Sequence, residues 1–230
     1  MDAKQLLKTL KNTTDEDNLL KIIPKLGKYA KGKTVENALV DLLEAGSEKI
    51  RAAAIDALLT NPHKRIKKLI MAHMTDTNLV KEKCFEYTGY HKMKQAEPIL
   101  LAHLNNSDHW VRYFAILNIG DMGSYELIED VKKHLESEIN DVVKSGGYLT
   151  LYLLSETDED IEYNRQKLIE LLNSSDDEAR FVTINTLADI GGHFEKEKVI
   201  QALSKQLEIE EDVDNIIVLK WSIRILKYYR

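Results

Sequence analysis

The chain has 230 residues, of which 43% are hydrophobic and 30% charged, and its 38 acidic and 32 basic residues give a net charge of −6. This apolar fraction, together with only 3 Pro and 10 Gly, excludes wholesale disorder and collagen-like or low-complexity chains. The single cysteine, Cys84, excludes an intrachain disulfide and zinc-finger spacing.

The apolar runs are short. None approaches the roughly 20 residues that a membrane-spanning helix needs. The first 11 residues interrupt their leucines with lysines, unlike the continuous apolar core of a signal peptide. We therefore expect a cytoplasmic protein that is not embedded in a membrane.

An apolar residue followed by a basic one recurs along the chain at intervals of 30 to 40 residues. The pairs are Leu20-Lys21, Ile50-Arg51, Val80-Lys81, Val111-Arg112, Val143-Lys144, Ala179-Arg180 and Leu219-Lys220. Three positions before each of the first six pairs stands a residue whose side chain can cap a helix N-terminus: Asp17, Ser47, Thr77, Asp108, Asn140 and Asp176. Each pair is thus predicted to lie in the first turn of a helix, and the last unit lacks an Asp cap.

The stretches between these helices also carry apolar residues at three- and four-residue steps, which predicts a helix pair in every unit. Strand signals, such as sustained period-two alternation, are missing. First helices are predicted at 2–12, 34–45, 63–74, 95–105, 124–137, 160–173 and 195–209. Second helices are predicted at 17–30, 48–60, 78–91, 108–122, 140–154, 176–190 and 214–229. Because such pairs bury their apolar faces by stacking, we expect one solenoid domain over residues 1–230.

Two of the second helices carry a family resemblance. The stretches Asp108 to Gly120 and Asp176 to Gly191 resemble the second helix of HEAT repeats, particularly the HEAT-like repeats of the phycobilisome-lyase type. The family pattern is a capping Asp, then Val-Arg, a small residue four positions after the Val and a Gly at the end. The resemblance implies an all-α fold: an α-solenoid (superhelix) of about seven antiparallel helix pairs, with the second helices on its concave side.

Three units depart from the family pattern. Pro24 occupies the small position of the first unit, Gly146-Gly147 interrupt the fifth, and the last lacks its cap. We expect these units to be bent or irregular, or the glycines to permit close helix approach. The resemblance predicts architecture and says little about chemistry.

Most aromatic residues fall on the predicted second helices. Large aromatic side chains dominate interface hot spots, which favours a protein-binding surface on the concave face. The alternative is that second helices are simply the more buried layer. The candidates for protein binding are Tyr113, Tyr148, Tyr152, Phe181, Trp221, Asp121 and Asp189.

Charge is uneven along the chain. Residues 1–103 hold 18 bases and 13 acids, whereas residues 104–230 hold 14 bases and 25 acids, so the halves carry +5 and −11. The C-terminal half suits a basic protein partner and the N-terminal half an acidic one, and a solvated surface without a partner is the alternative. Nucleic acid is disfavoured because an acidic half repels phosphates. The repeat arginines Arg51, Arg112 and Arg180 are expected to pair with the Asp of a neighbouring repeat rather than with a ligand.

Motifs for catalysis or cofactor binding are missing from the sequence. It contains no His-Glu-x-x-His, phosphate loop, nucleophile elbow or dinucleotide fingerprint, so no catalytic residue, metal or cofactor is predicted. The leading hypothesis is a non-enzymatic protein-binding module, either an adaptor or an immunity-type inhibitor.

Two activities of similar proteins provide enzymatic alternatives. HEAT-like lyases attach bilins to phycobiliprotein cysteines, and HEAT-like DNA alkylation-repair glycosylases remove alkylated bases with Trp, Asp and Arg on a basic concave face. For the glycosylase, the resemblance offers Trp110, Trp221, Asp108, Asp121 and Arg112. However, Asp108 and Arg112 already belong to the repeat pattern, and the net charge is wrong for duplex DNA.

Overall fold

The computed structural model describes residues 1–191 and 196–228, and these residues form fourteen α-helices and no β-strand. The prediction of an all-α repeat fold with seven helix pairs is therefore confirmed. Residues 195 and 229, at the ends of two predicted helices, lie outside the described residues. None of the described helices is long and apolar enough to cross a bilayer.

The helices follow the predicted order of first and second helices, with short 3₁₀ turns before or after some of them. The first helices are α1 (Ala3–Asn12), α3 (Lys33–Asp41), α5 (Lys64–His73), α7 (Glu97–His103), α9 (Ile128–Ser137), α11 (Asp158–Leu171) and α13 (Lys196–Ile209). The second helices are α2 (Glu16–Gly27), α4 (Glu48–Ala57), α6 (Asn78–Tyr90), α8 (His109–Met122), α10 (Asp141–Leu154), α12 (Asp177–Ile190) and α14 (Val213–Tyr228).

The chain divides into two compact units, residues 1–103 and residues 104–230. Within residues 1–103, α2, α4 and α6 pack side by side, and α1, α3 and α5 each pack against the second helix that follows them. Within residues 104–230, α8, α10, α12 and α14 form one layer, against which α9, α11 and α13 pack. Whether the whole chain is one solenoid domain stays a prediction.

Apolar residues at helical spacing build the core between the two layers. On α8, Val111, Ala115, Ile119 and Met122 are all buried, and they share one side of the helix because they lie three or four residues apart. The last two helix pairs enclose a larger cluster that includes Leu168, Leu172, Ile184, Leu187, Val199, Leu203, Leu219 and Leu226.

The structure corrects the predicted helix cap in the last repeat. The Asp212 carboxylate accepts a hydrogen bond from the Asn215 backbone N–H at 2.9 Å. The Asp212 carbonyl also accepts from Ile216 N–H, as the Asp108 carbonyl does from Arg112 N–H. The last unit therefore has an Asp cap, four residues earlier than the Leu219-Lys220 pair suggests. The prediction missed it because Asn215 stands where the five middle units have an apolar residue. The Asn215 side-chain amide donates to the Asp177 carbonyl.

The first repeat is also shifted from its predicted register. Asp15, not Asp17, caps α2 by accepting from Asn18 N–H at 2.9 Å. Counted from this cap, Ile22 rather than Pro24 occupies the small position, and Pro24 lies further along α2. With both corrections, the cap positions of successive second helices are 30 to 36 residues apart: Asp15, Ser47, Thr77, Asp108, Asn140, Asp176 and Asp212.

An arginine clasp connects neighbouring repeats at three places. Arg112 donates from Nη1 to the Asn106 carbonyl in the loop before its own helix, at 2.8 Å. Its Nε and Nη2 donate to the two carboxylate oxygens of Glu138, in the loop before the next second helix, at 2.8 and 3.1 Å. Glu138 in turn accepts from two backbone N–H groups of that loop. The other clasps are Arg51–Asp76 and Arg180–Glu210. The arginines pair with a neighbouring repeat as expected, but only Arg51 has the expected Asp partner, whereas Arg112 and Arg180 pair with Glu138 and Glu210.

The glycines of the fifth unit permit close packing instead of interrupting a helix. Helix α10 is continuous from Asp141 to Leu154. A Cβ atom added at Gly146 would lie 2.8 Å from Cδ2 of Tyr113 on α8, too close for a real contact. At the same interface the Thr150 hydroxyl donates to the Ile116 carbonyl at 2.7 Å. The structure thus favours the second expectation, that the glycines permit close contact between α8 and α10.

Candidate protein-binding face

The outer side of the layer formed by α8, α10, α12 and α14 is the candidate binding surface, and we call it the second-helix face. Residues five, nine and thirteen positions after each cap lie on one side of a helix because they are four residues apart. They belong to the second-helix face, and all except Ser145 are exposed or half-buried. In chain order they are Tyr113, Leu117, Asp121, Ser145, Leu149, Leu153, Phe181, Asn185, Asp189, Ile217, Trp221 and Ile225.

Four large apolar side chains of this face are open to solvent on three adjacent helices. The exposed fractions are 43% for Leu153 on α10, 40% for Phe181 on α12, and 58% and 59% for Ile217 and Trp221 on α14. Exposed large apolar side chains are common singly, but a group of them on neighbouring helices indicates an interaction surface. Phe181 and Trp221, two of the predicted candidates, are both exposed members of this group.

Tyr113 lies at the α8 edge of this face within an aromatic cluster. Its ring packs edge-on against Trp110 and Phe114, with centroid distances of 5.4 and 5.2 Å. Trp110 and Tyr113 also pack against the small core cluster of Val142, Ala179 and Val182. Tyr113 is therefore half-buried and preordered, whereas Phe181 and Trp221 present more of their surface.

Asp121 and Asp189 occupy equivalent positions near the ends of α8 and α12, with Leu153 at the same position on the helix between them. Both side chains are exposed, but protein atoms around each carboxyl displace water, and this desolvation raises the pKa of both groups. No cation contributes to either shift. These carboxylates would consequently gain from a positively charged group brought to the face.

Tyr148 and Tyr152 lie elsewhere on α10. Both rings pack against the core cluster that contains Leu168 and Ile184. Burial raises the pKa of each phenol, and Tyr148 also interacts electrostatically with Tyr163 and Lys167 on α11. The structure thus separates these two tyrosines from Tyr113, Phe181 and Trp221. Their role in binding stays a prediction.

Two residues of the face, Leu153 and Ile217, were missed from the sequence. Once Asp212 is recognised as a cap, Ile217 lies five positions after it, as Phe181 does after Asp176. Counting from caps rather than from apolar-basic pairs would have found Ile217. Leu153 lies thirteen positions after Asn140, the place that Asp121 and Asp189 take on their helices.

Two of the residues considered for base excision, Asp108 and Arg112, have structural roles. The Asp108 carboxylate accepts from Trp110 N–H at 2.8 Å at the start of α8, and the Arg112 guanidinium is held in its clasp. Burial works against ionisation of Glu138, but the hydrogen bonds from Arg112 and Asn140 N–H outweigh it and lower its pKa. Across residues 1–191 and 196–228, no three His, Cys, Asp or Glu side chains are grouped to hold a metal ion.

Comparisons with known proteins give a structural match. No family model matches the chain, and no curated protein matches it in sequence. The chain is similar to one chain of the complex of CpcE and CpcF of phycocyanin lyase from Nostoc sp. PCC7120, with a TM-score of 0.66 and 17% identity. The match covers 98% of this chain and 95% of that one.

A designed armadillo repeat protein also matches over 98% of this chain and 100% of its own length, at 18% identity and a TM-score of 0.36. At these identities the likeness to CpcE and CpcF of phycocyanin lyase shows the fold alone. The chain is a helical-repeat protein with the fold of a HEAT-like lyase subunit.

Proposed function

We propose that the chain is a cytoplasmic, non-enzymatic protein-binding module, an adaptor or immunity-type inhibitor, that holds another protein against the second-helix face of residues 104–230. The observation that carries the proposal is the group of exposed apolar side chains on α10, α12 and α14: Leu153, Phe181, Ile217 and Trp221. Burying such side chains under a partner removes apolar surface from water, which is the main favourable term in protein association.

The net negative charge of residues 104–230 supports a basic partner. Residues 104–230 carry a net charge of −11, and Asp121 and Asp189 are partly desolvated without a compensating cation. A partner segment with apolar residues flanked by Lys or Arg fits both features. Long-range attraction to the acidic unit would raise the association rate, and contact with the two carboxylates would help to fix the register.

The glycosylase alternative has no support in the arrangement of the candidate residues. Asp108 and Arg112 are engaged in the cap and the clasp, and the face around Asp121 is acidic and apolar rather than basic. A duplex would meet repulsion there instead of phosphate neutralisation. We therefore keep protein binding as the single proposed function.

The experiment uses the full chain as bait, followed by affinity measurements with the purified partner. Trp221→Ala is expected to weaken the partner's affinity at least about tenfold, because large aromatic anchors carry much of the binding energy. The matched pair is Ile217→Ala on the face and Ile139→Ala in the α9–α10 loop, both exposed isoleucines. Weakened binding by Ile217→Ala but not by Ile139→Ala supports the face. Equal affinities for all variants with unchanged folding would overturn it.

An adaptor and an inhibitor differ in what happens to the partner. If the captured protein is a toxin or enzyme, an immunity-type inhibitor abolishes its activity at stoichiometric concentration. An adaptor leaves that activity intact while still binding through Trp221. Measuring the partner's activity with the wild-type chain and with Trp221→Ala separates the two.

A further inference from the structure

A cleft lies away from the second-helix face, between α9 and α11 at the end of α10. Its volume is about 370 Å³, within the roughly 300–1,000 Å³ range of ligand sites. The cleft is lined by side chains from three helices and the turn before α9, including Tyr125, Glu129, Lys132, Leu151, Asp160 and Asn164. No residue of the second-helix face contributes to it.

The cleft is strongly acidic. Four carboxylates, those of Glu126, Glu129, Glu156 and Asp160, line it against the single ammonium of Lys132. Acidic residues in the first turn of a helix are ordinary, since they compensate the positive end of the helix dipole. This explains Asp160 at the start of α11 and Glu129 at the start of α9, so the carboxylates alone do not define a site.

The end of α10 adds a second source of negative potential. Leu151, Leu154 and Ser155, at the C-terminus of α10, line the cleft. The last carbonyl groups of a helix carry the negative end of its dipole, so they favour a cation nearby. The two leucines also provide an apolar floor beside these carbonyls.

Asn164 provides an independent observation that points to a ligand in this cleft. Its side-chain N–H₂ donates to the Ser155 hydroxyl and to the Asp160 carbonyl, which fixes the orientation of the amide because a carbonyl can only accept. The remaining Oδ1 atom is buried and has no hydrogen-bond partner, although Asn164 is only 4% exposed. A buried acceptor without a partner is costly, and here it belongs to a residue that lines the cleft.

We propose that this cleft binds the guanidinium or ammonium group of an arginine or lysine side chain from a protein partner. The aliphatic stem would lie on Leu151 and Leu154, and the charged head would lie among the carboxylates with an N–H directed to Asn164 Oδ1. The exposed ring of Tyr125 at the rim offers a cation–π contact. Lys132 partly occupies this role now, since its Nζ lies 2.9 Å from Glu129 Oε1.

Two other classes of ligand fit the cleft less well. A divalent cation would need several oxygen ligands converging within bonding distance, and the described residues hold no such group. Nucleic acid is repelled by carboxylates. A side chain with both an apolar stem and a cationic head uses every feature of the lining.

The test measures the affinity of a fluorescein-labelled peptide of alternating Arg and Gly at low ionic strength, with the full chain. Lys132→Met removes the internal competitor and is expected to tighten binding about fivefold. The matched control is Lys133→Met, which makes the same charge change on the exposed side of α9 and is expected to change affinity less than twofold. Equal effects of the two variants would show a response to net charge alone and would overturn the proposal.

Two further variants and a competitor complete the design. Asn164→Leu and the milder Glu156→Gln are each expected to lower the affinity for the peptide at least threefold. Trp221→Ala is expected to leave this affinity unchanged. Unchanged affinity in both cleft variants would overturn the site. Competition by spermidine, without tighter binding of the arginine peptide to Lys132→Met, would assign the cleft to a free polyamine and overturn the protein source. The outcome does not depend on the partner of the second-helix face, so the two proposals fail separately.

Discussion

Arg180 and Glu210 lie thirty residues apart and are joined by two hydrogen bonds, from Nε to Oε2 at 2.9 Å and from Nη2 to Oε1 at 2.7 Å. Arg180 also donates from Nη1 to the Ser174 carbonyl, in the loop before its own helix. The pair thus ties the loop before α12 to the loop before α14. Because each clasp connects successive repeats, it contributes to the interface energy on which a repeat protein depends.

Removing the arginine of a clasp is expected to destabilise the fold. In Arg180→Leu the Glu210 carboxylate, whose side chain is 1% exposed, keeps the hydrogen bonds from Gln206 and Asp212 N–H but loses its cation. We expect the free energy of unfolding to fall by about 2–4 kcal/mol. Urea denaturation measures this loss. Arg224→Leu, at an exposed arginine of α14, is the control and should stay within about 0.5 kcal/mol of the wild type. A similar small effect at Arg180 would show that the clasp does not stabilise the repeats.

The clasps also predict acid sensitivity. Hydrogen bonds from Arg180 lower the pKa of Glu210 to about 2, and those from Arg51 lower the pKa of Asp76 to about 2. A carboxyl whose pKa is depressed in the folded state contributes stability above its unfolded pKa of about 4 and loses it as the pH falls toward the folded value. The free energy of unfolding should therefore decline between about pH 5 and pH 2.

The clasp contribution to this decline is separable. Arg180→Leu removes the main cause of the Glu210 shift, so its unfolding free energy should fall less steeply over the same pH range than that of the wild type. Urea titrations at pH 6, 4 and 3 give the two slopes. Parallel curves for the two proteins would assign the acid sensitivity to other carboxyls.

Most of the fold could be predicted from the sequence because a capping residue and an apolar-basic pair mark the start of most second helices. In the middle units a cap such as Ser47 or Asp108 and an apolar-basic pair agree, and the helices were found within a few residues. At the two ends they disagree. In the last unit, the Leu219-Lys220 pair places the start of α14 about one turn too late. The observed first turn contains Asn215, whose hydrogen bond with the Asp177 carbonyl could not be predicted from the sequence.

The candidate site was only partly predictable. Helical spacing places a residue on one side of its own helix, but it does not say where the neighbouring helices lie. Phe181 and Trp221 face solvent, while Tyr148 and Tyr152 on α10 contact the core cluster instead. The cleft beside Asn164 was not predicted either, because its lining depends on how three successive helices pack against one another, which the spacing along each helix does not give.

A methyl group at Gly146 tests the close approach of α8 and α10. Its Cβ would lie 2.8 Å from Tyr113 Cδ2 and 3.2 Å from Ile116 Cγ2. Overpacking of this kind costs about 1–3 kcal/mol, which outweighs the gain of up to about 1 kcal/mol from replacing a helical Gly with Ala. Gly146→Ala should therefore have a lower melting temperature than the wild type. Gly46→Ala, with nothing within 4 Å of the new methyl, should not. Stabilisation by Gly146→Ala would mean that the two helices can separate without cost.

Asp189 is expected to sacrifice stability for binding. Desolvation raises the pKa of its carboxyl in the folded state, so its contribution is favourable below the unfolded pKa of about 3.9 and is lost as the pH rises through the folded value. At pH 7, Asp189→Asn should raise the free energy of unfolding by a few tenths of a kcal/mol, a small gain because the exposed carboxyl is screened by solvent. At pH 3 most of the difference should vanish, since the wild-type carboxyl is then largely protonated. The same variant should lower the affinity for the basic partner about threefold, with a smaller loss at high salt. A gain that persisted unchanged at pH 3 would come from the amide's own contacts, and the charge would then have no part in it.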